Sequence, residues 1–247
     1  MIELFAPAKL TWSLEITGTR PDGFHDIRSE MVTLAFGDRL VIDEGDYLRV
    51  TPGSLPVALD RTNLITRALE LVGRTAGVTL DKVIPSGGGL GGGSADAGAI
   101  LRWAGAVSTQ QALTLGADVP FCQQGGRALV EGVGEKLTPL TYEARSVTLL
   151  LAPYRVDTAA CYRAFDALLA KGWVPEGRNH LEAPAGVVEP KVLRALEWAR
   201  SLYGNGVTLA GSGSSMFLEG HLRDDLQQWD AESPVGSFRF CQTTTTP

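Results

Sequence analysis

From Leu4 to Ile16 the sequence LFAPAKLTWSLEI alternates apolar and polar positions around a Pro-Ala-Lys kink, the period-two pattern of a half-buried strand. A polar turn follows over Gly18 to His25, where Pro21, Asp22 and Gly23 preset or tolerate turn backbone. Between Met31 and Val50 the stretches TLAF and RLVID predict two strands separated by Gly37-Asp38, and Thr51 to Asp60 is punctuated by Pro and Gly as a loop. Asn63 to Ala76 sets Leu64, Ala68, Leu71 and Val72 at helical spacing. A short strand, LDKVIP, then runs into a glycine cluster, and Ala95 to Ala106 predicts an Ala-rich helix. Another short helix precedes LGADVPFC, which enters strands ALVEG and KLTPL.

The apolar strand VTLLLA at Val147–Ala152 is a good opening for a second domain. Helices are expected at Thr158–Leu169, Pro190–Leu202 and Asp224–Trp229, and strands at VTLAG, SMFLEG and SFRFCQ. The tail TTTTP reads as low-complexity and frayed. Strands and helices mix without a strict βαβ rhythm, so the expected class is α+β, divided into residues 1–145 and 146–247. There is no internal repeat.

Charge and special residues narrow the function classes. Lys+Arg number 22 against 28 Asp+Glu, a net charge of −6 that argues against a nucleic-acid partner. No apolar run approaches the ~18 residues of a membrane span. The opening MIELFAPAKLTW has no basic segment before an apolar core, so neither a signal nor a transit peptide is expected and the location is taken as cytoplasmic. Cys122, Cys161 and Cys241 are isolated, and the three histidines show no zinc spacing, so no metal site is expected.

Glycine is the outlier, at 29 of 247 residues. Six glycines fall within seven positions of Pro85-Ser86-Gly87-Gly88-Gly89-Leu90-Gly91-Gly92-Gly93-Ser94-Ala95. Glycine admits positive φ and lets backbone amides approach a ligand with no Cβ in the way. Consecutive inward amides make an anion nest, and a following helix adds its positive end, so phosphate binding is the natural task. Ser94 is a candidate N-cap, or a hydroxyl directed at phosphate or Mg2+. A GxGxxG match inside this run is weak, because the acid about 20 residues on that a dinucleotide fold wants is missing around Ala112. No lysine precedes Ser94 as in a Walker A loop, and HRD and DFG are absent, which excludes a protein kinase. A flexible linker is the bland alternative, opposed by Leu90 and the flanking strand and helix.

Taken together, APAKLTWSLEITGTRPDGFHDI, NLITRA, KVIPSGGGLGGGSADAG, LGADVPFC, EGVGEKL and LAGSGSS resemble, in order and over nearly the whole chain, the GHMP kinase superfamily. RPDGFH with LGADVPF points to the branch whose acceptor is cytidine diphosphate methylerythritol, in non-mevalonate isoprenoid biosynthesis. The resemblance implies a two-domain fold, a ribosomal protein S5 domain 2-like N-terminal domain followed by a ferredoxin-like C-terminal one. It implies ATP and Mg2+ as cofactors, a small-molecule partner, and a monomer or weak homodimer. Lys9 and Asp118 match the catalytic pair: a carboxylate can take the acceptor proton while an ammonium offsets phosphoryl charge. Residues Pro85 to Ala95 match the phosphate loop, and Asn63 and Lys82 match positions near adenine. Phe24, His25 and Tyr162 match the cytosine site, where rings stack on the base. Thr11, Val133 and Thr158 fall at the substrate, and Gly211-Ser212-Gly213 matches the late glycine motif.

Blander readings accompany each residue. Lys9 suits a surface strand, Asp118 a turn or cap before Val119-Pro120, Phe24 a core and His25 a turn. Thr11 stands where the superfamily branch usually has asparagine, Ala95 replaces a second serine, and His180 stands where Asn-Asp is usual after Asn179. Two rivals remain: a GHMP kinase with another acceptor, and a nucleotide-binding sensor that has lost turnover.

Overall fold

The computed structural model of the chain describes residues 1–247. β1 (Ile2–Thr11) and β2 (Glu15–Thr19) lead into β3 (His25–Asp43), followed by β4 (Tyr47–Val50), α1 (Leu64–Leu71) and β5 (Gly77–Asp81). Beyond the glycine loop come α2 (Gly92–Ala104), α3 (Thr109–Leu113), α4 (Val119–Gln124), β6 (Arg127–Gly132) and β7 (Lys136–Pro139). The remainder is β8 (Ser146–Leu151), α5 (Thr158–Leu169), α6 (Glu182–Val188), α7 (Lys191–Tyr203), β9 (Thr208–Leu209), β10 (Met216–Glu219), β11 (Gln228–Ser233) and β12 (Gly236–Thr246). The class is α+β, and no helix is long and apolar enough to cross a membrane.

β3 organises the sheet. The pattern predicted a break at Gly37-Asp38, yet the strand runs unbroken for 19 residues. One edge pairs with β2 and then β1; the other meets β6, then β12, then β5. Gly37 is needed because a Cβ there would lie 2.5 Å from Ala6 O and 2.6 Å from the Phe5 ring. Asp38 stays in the strand because its carboxylate accepts the Val83 and Ile84 amides at 2.6 and 2.9 Å. Two turn-like residues are thus held in a strand by tertiary partners. The Pro-Ala-Lys kink is a register shift in β1 between Pro7 and Lys9.

Helix starts follow their caps. Asn63 Oδ1 accepts the Ile65 amide at 2.9 Å, Ser108 and Gln111 form a reciprocal capping box, and Asp157 caps Ala160. On α7, Val192, Ala195, Leu196 and Ala199 are buried at helical spacing, and Trp198 packs against Phe238 and Phe240 of β12. α4 and α6, not anticipated from the pattern, are short helices whose apolar sides are committed to the core.

The C-terminal expectations need two corrections. No helix covers Asp224–Trp229. The Gln242 side chain instead accepts the Leu222 and Arg223 amides and donates to the Arg223 and Leu226 carbonyls, and Trp229 stacks on Phe240 at 5.0 Å. The threonine tail is not frayed either. Thr243 and Thr245 are buried, and the run pairs with β8 on one side and β3 at Leu34 and Thr33 on the other. β-branched residues suit that two-sided strand. Its pairing joins β8–β12 to the sheet built around β3, with the glycine loop against the β9–β10 turn.

Candidate active site

A cavity of about 810 Å³ opens between these two parts of the sheet. β1 contributes Lys9 and Thr11 to it. Phe24 from the turn before β3 and His25 at the start of that strand join it, α5 contributes Thr158, Tyr162 and Asp166, and the glycine loop, Asp118, Val133, Gly211 and Ser212 complete the wall.

Lys9 Nζ lies 3.1 Å from Asp118 Oδ2 and donates to Thr11 Oγ1 at 3.0 Å. Lys9 is buried while the Asp118 side chain keeps 31% of its surface exposed, so the carboxylate is the accessible partner. Asp118 occupies the N-cap position of α4 but makes no side-chain cap bond, which leaves it to the cavity. Strand and loop are tied together here: the Lys9 amide donates to Leu90 O at 3.2 Å. A Cβ on Gly91 would meet the Lys9 stem at 2.8 Å, so glycine there lets the lysine cross beneath the loop.

The loop alternates conformations, with Gly87, Gly89 and Gly91 at φ +70°, +79° and +65°. Its carbonyls are held from behind. Gly87 O accepts the Val156 and Ser214 amides, and Gly88 O accepts that of Ser215. A Cβ on Gly89 would collide with Ala210 O and approach Gly213 O, so the late glycine motif is the bed on which the loop rests. The six consecutive amides from Gly89 to Ser94 have no acceptor within the protein. Such an amide run, continued by the first turn of a 13-residue helix, is an anion cradle. Pro85, Ser86 and Gly87 to Gly89 line the cavity with Gly91 to Ser94, while Leu90 and Ala95 are buried behind it.

Two residues expected near adenine are engaged elsewhere. Lys82 is 2% exposed, and its ammonium lies 2.6 Å from both Asp38 Oδ2 and Asp96 Oδ2 under α2. Burial, reinforced by Asp38, pushes the Asp96 carboxyl up to about 7 against the pull of Lys82. Asn63 uses both ends of its amide, donating to Ala58 O at 2.6 Å besides capping α1. Neither belongs to the cavity wall, which Leu64 occupies instead. A lone lysine before a glycine loop carries no sign of the two acids that will enclose it.

At the far end, His25 Nε2 meets Asp166 Oδ1 at 2.8 Å and its ring packs on Tyr162 at 4.9 Å and edge-on to Phe165. Phe24, 63% exposed, presents an unpacked ring. Burial raises the Tyr162 phenol, with the Asp118 charge adding to it. Asp166 was not among the residues expected from sequence, although it stands four residues from Tyr162 on one helix face. Arg163 on the wall and Arg155 against Gly87 were missed too, as was Asn179, whose Nδ2 holds Leu209 O and Gly211 O. Thr158 Oγ1 pairs with Ser212 Oγ at 2.7 Å, and the Val133 amide donates to Glu135.

The fold around this cavity is that of the GHMP kinases. The family model for the GHMP kinases N terminal domain matches residues 63–132. A crystal structure of a 4-(cytidine 5'-diphospho)-2C-methyl-D-erythritol kinase superposes with a TM-score of 0.73 at 31% identity, covering 100% of both chains. A mevalonate kinase structure superposes at 0.56 with 14% identity and 98% of this chain covered, a likeness of fold alone. The 4-diphosphocytidyl-2-C-methyl-D-erythritol kinase of Paracoccus denitrificans (strain Pd 1222) is 38% identical over 86% of this chain and 84% of its own length. That of Burkholderia mallei (strain SAVP1) is 33% identical over 95% and 90%. The chain belongs to the 4-diphosphocytidyl-2-C-methyl-D-erythritol kinase family.

Proposed function

We propose that the chain transfers a phosphoryl group from ATP to the 2-hydroxyl of 4-diphosphocytidyl-2-C-methyl-D-erythritol, as a soluble cytoplasmic monomer or weak homodimer. One observation carries this reading: Gly89 and Gly91 to Ser94, whose amides have no acceptor in the protein, line the same cavity as the Lys9–Asp118 pair. In this reading residues 1–145 supply most of the nucleotide contacts, and residues 146–247 supply Thr158 and Tyr162. ATP would supply the transferable γ-phosphoryl group, with ADP as the leaving group. The amides of Gly89 to Ser94 bind its phosphate oxygens, and the cradle fits because a side chain at Gly89 or Gly91 would collide with its neighbours. Mg2+, a hard cation that prefers oxygen ligands, would be held beside those phosphates, where the Ser94 hydroxyl on the cavity wall could serve as an oxygen ligand.

Asp118 accepts the acceptor's hydroxyl proton at Oδ2 or orients that hydroxyl; in a loose phosphoryl transfer, orientation contributes more than basicity. Lys9 holds Asp118 in place and offsets charge on the transferred group, and Thr11 fixes the ammonium from the other side. Phe24 and Tyr162 stack on the cytosine, and His25, oriented by Asp166, hydrogen-bonds it. The test is ADP release from ATP and Mg2+ with a panel of acceptors. Turnover with the cytidine diphosphate ester alone is expected. Turnover with mevalonate or homoserine, or ATP binding without ADP, would overturn the reading.

A further inference from the structure

A second cavity, of about 480 Å³, lies behind the first. Its wall carries Ser13, Glu15, Arg28, Glu30, Arg178 and His180, and Leu14 lines both cavities. The charged groups here are unevenly paired. Glu30 is shared by Arg127 at 2.9 Å and Arg145 at 3.0 Å. Arg28 and Arg178 form no ion pair and donate no side-chain hydrogen bond, although Glu15 stands opposite Arg28 across the β2–β3 ladder. Two free guanidiniums therefore face one free carboxylate.

Arg178 is nonetheless held in place. Its Cζ lies 4.5 Å over the Trp12 ring and 5.3 Å from that of Phe217, which fixes the guanidinium plane and leaves its N–H fork unused. The imidazole of His180 is fixed as well. Nδ1 accepts the Ile16 amide at 3.1 Å, so Nε2 carries the proton and is the ring's free donor. Ser13 Oγ already accepts the Glu30 amide, which directs its hydroxyl proton elsewhere.

We propose that this cavity is a binding site for a phosphate-bearing small molecule, held by Arg178, Arg28 and Nε2 of His180, and distinct from the nucleotide cradle. Charge-assisted forks and a neutral N–H donor are the groups that recognise a phosphate dianion. The site is wired to the first one. The Leu14 amide donates to Arg178 O and Leu14 O accepts the His180 amide, both at 2.9 Å. Asn179, between those two residues, holds the carbonyl of Gly211 on the active-site wall. Occupation would thus adjust Leu14 and the late glycine turn. Binding is independent of the reaction proposed above; an effect on turnover rests on it.

Inorganic pyrophosphate, titrated calorimetrically into the full chain saturated with a non-hydrolysable ATP analogue, tests the site. One further saturable site is expected, weakened at least about tenfold in Arg28→Gln, Arg178→Gln and His180→Asp. Arg28→Gln should leave acceptor KM and kcat unchanged when no pyrophosphate is present. Absence of saturable binding up to about 10 mM, or equal binding by folded variants, overturns the proposal. Circular dichroism identifies a misfolded Arg178 variant, in which case the substitutions at exposed Arg28 and half-buried His180 decide. Failure of the ADP assay would leave this binding result standing, so the two readings fail separately.

Discussion

The ion triad beneath the glycine loop gives the sharpest stability prediction. Lys82→Met removes the ammonium that lies 2.6 Å from Asp38 and 2.6 Å from Asp96 and leaves two carboxyls buried at 0% and 3% exposure. Asp38 keeps only the Val83 and Ile84 amides, and Asp96 Oδ1 has no partner even in the native protein. Breaking a buried pair by deleting one partner costs about 3–5 kcal/mol, against a total stability of about 5–15 kcal/mol. With a urea m-value of about 2–3 kcal/mol/M, the midpoint should fall by roughly 1–2 M. Urea titration followed by far-UV circular dichroism measures this, with m unchanged. Asp96→Asn is the matched control, because an amide reproduces the protonated acid's shape and leaves Lys82 paired with Asp38. It should cost less than about 1 kcal/mol at neutral pH. The native Asp96 pKa, raised from 3.8 to about 7, means that the unfolded chain loses this proton first. Its contribution to stability therefore declines as pH rises across that interval and is flat above it. Asp96→Asn should remove that decline. A Lys82→Met loss under about 1 kcal/mol would refute the buried-pair argument.

Asp118→Asn should lower turnover by roughly 10²-fold or more while nucleotide titration finds ATP affinity unchanged; near-normal ADP release removes Asp118 from the chemistry. Gly89→Ala should cost about 2 kcal/mol or more in melting experiments and weaken ATP binding, since its Cβ collides with Ala210 O at a φ of +79°. Gly93→Ala meets only the Leu64 side chain, at 3.4 Å, and should be neutral or stabilising by up to about 1 kcal/mol; equal damage at both sites would contradict the packing reason. Asp166→Ala frees the His25 ring and should raise the acceptor KM, leaving that for ATP in place. Deleting residues 243–247 removes the pairing between β12 and β3, so loss of the cooperative melting transition is expected.

Legibility in the sequence tracked how local each determinant is. Thr158–Leu169 was readable in full because one apolar face and the Asp157 cap act within a dozen residues. The glycine loop was readable because its φ requirements are written as glycine. β3, the threonine strand and the Gln242 clasp were not, since each depends on groups far away in the chain. The candidate site divides the same way: the cradle and the Lys9 and Asp118 blocks carry their own patterns, whereas Asp166 and Arg163 are ordinary helix-surface residues until α5 docks.

Taken alone, the amino-acid order determined a phosphate-binding loop between a strand and a helix, an α+β class and a GHMP-type set of motifs. These rest on backbone freedom at glycine, on periodicity, and on short blocks whose chemistry is self-contained. Only the tertiary structure decided which charges face the cavity and which are spent in the core. Lys9 and Lys82 look equivalent as isolated strand-end lysines. One ends beside an accessible carboxylate and the other between two buried ones. The difference arises because burial and pairing belong to the surroundings that folding assembles, and those surroundings are drawn from β3, α2 and α4 at once.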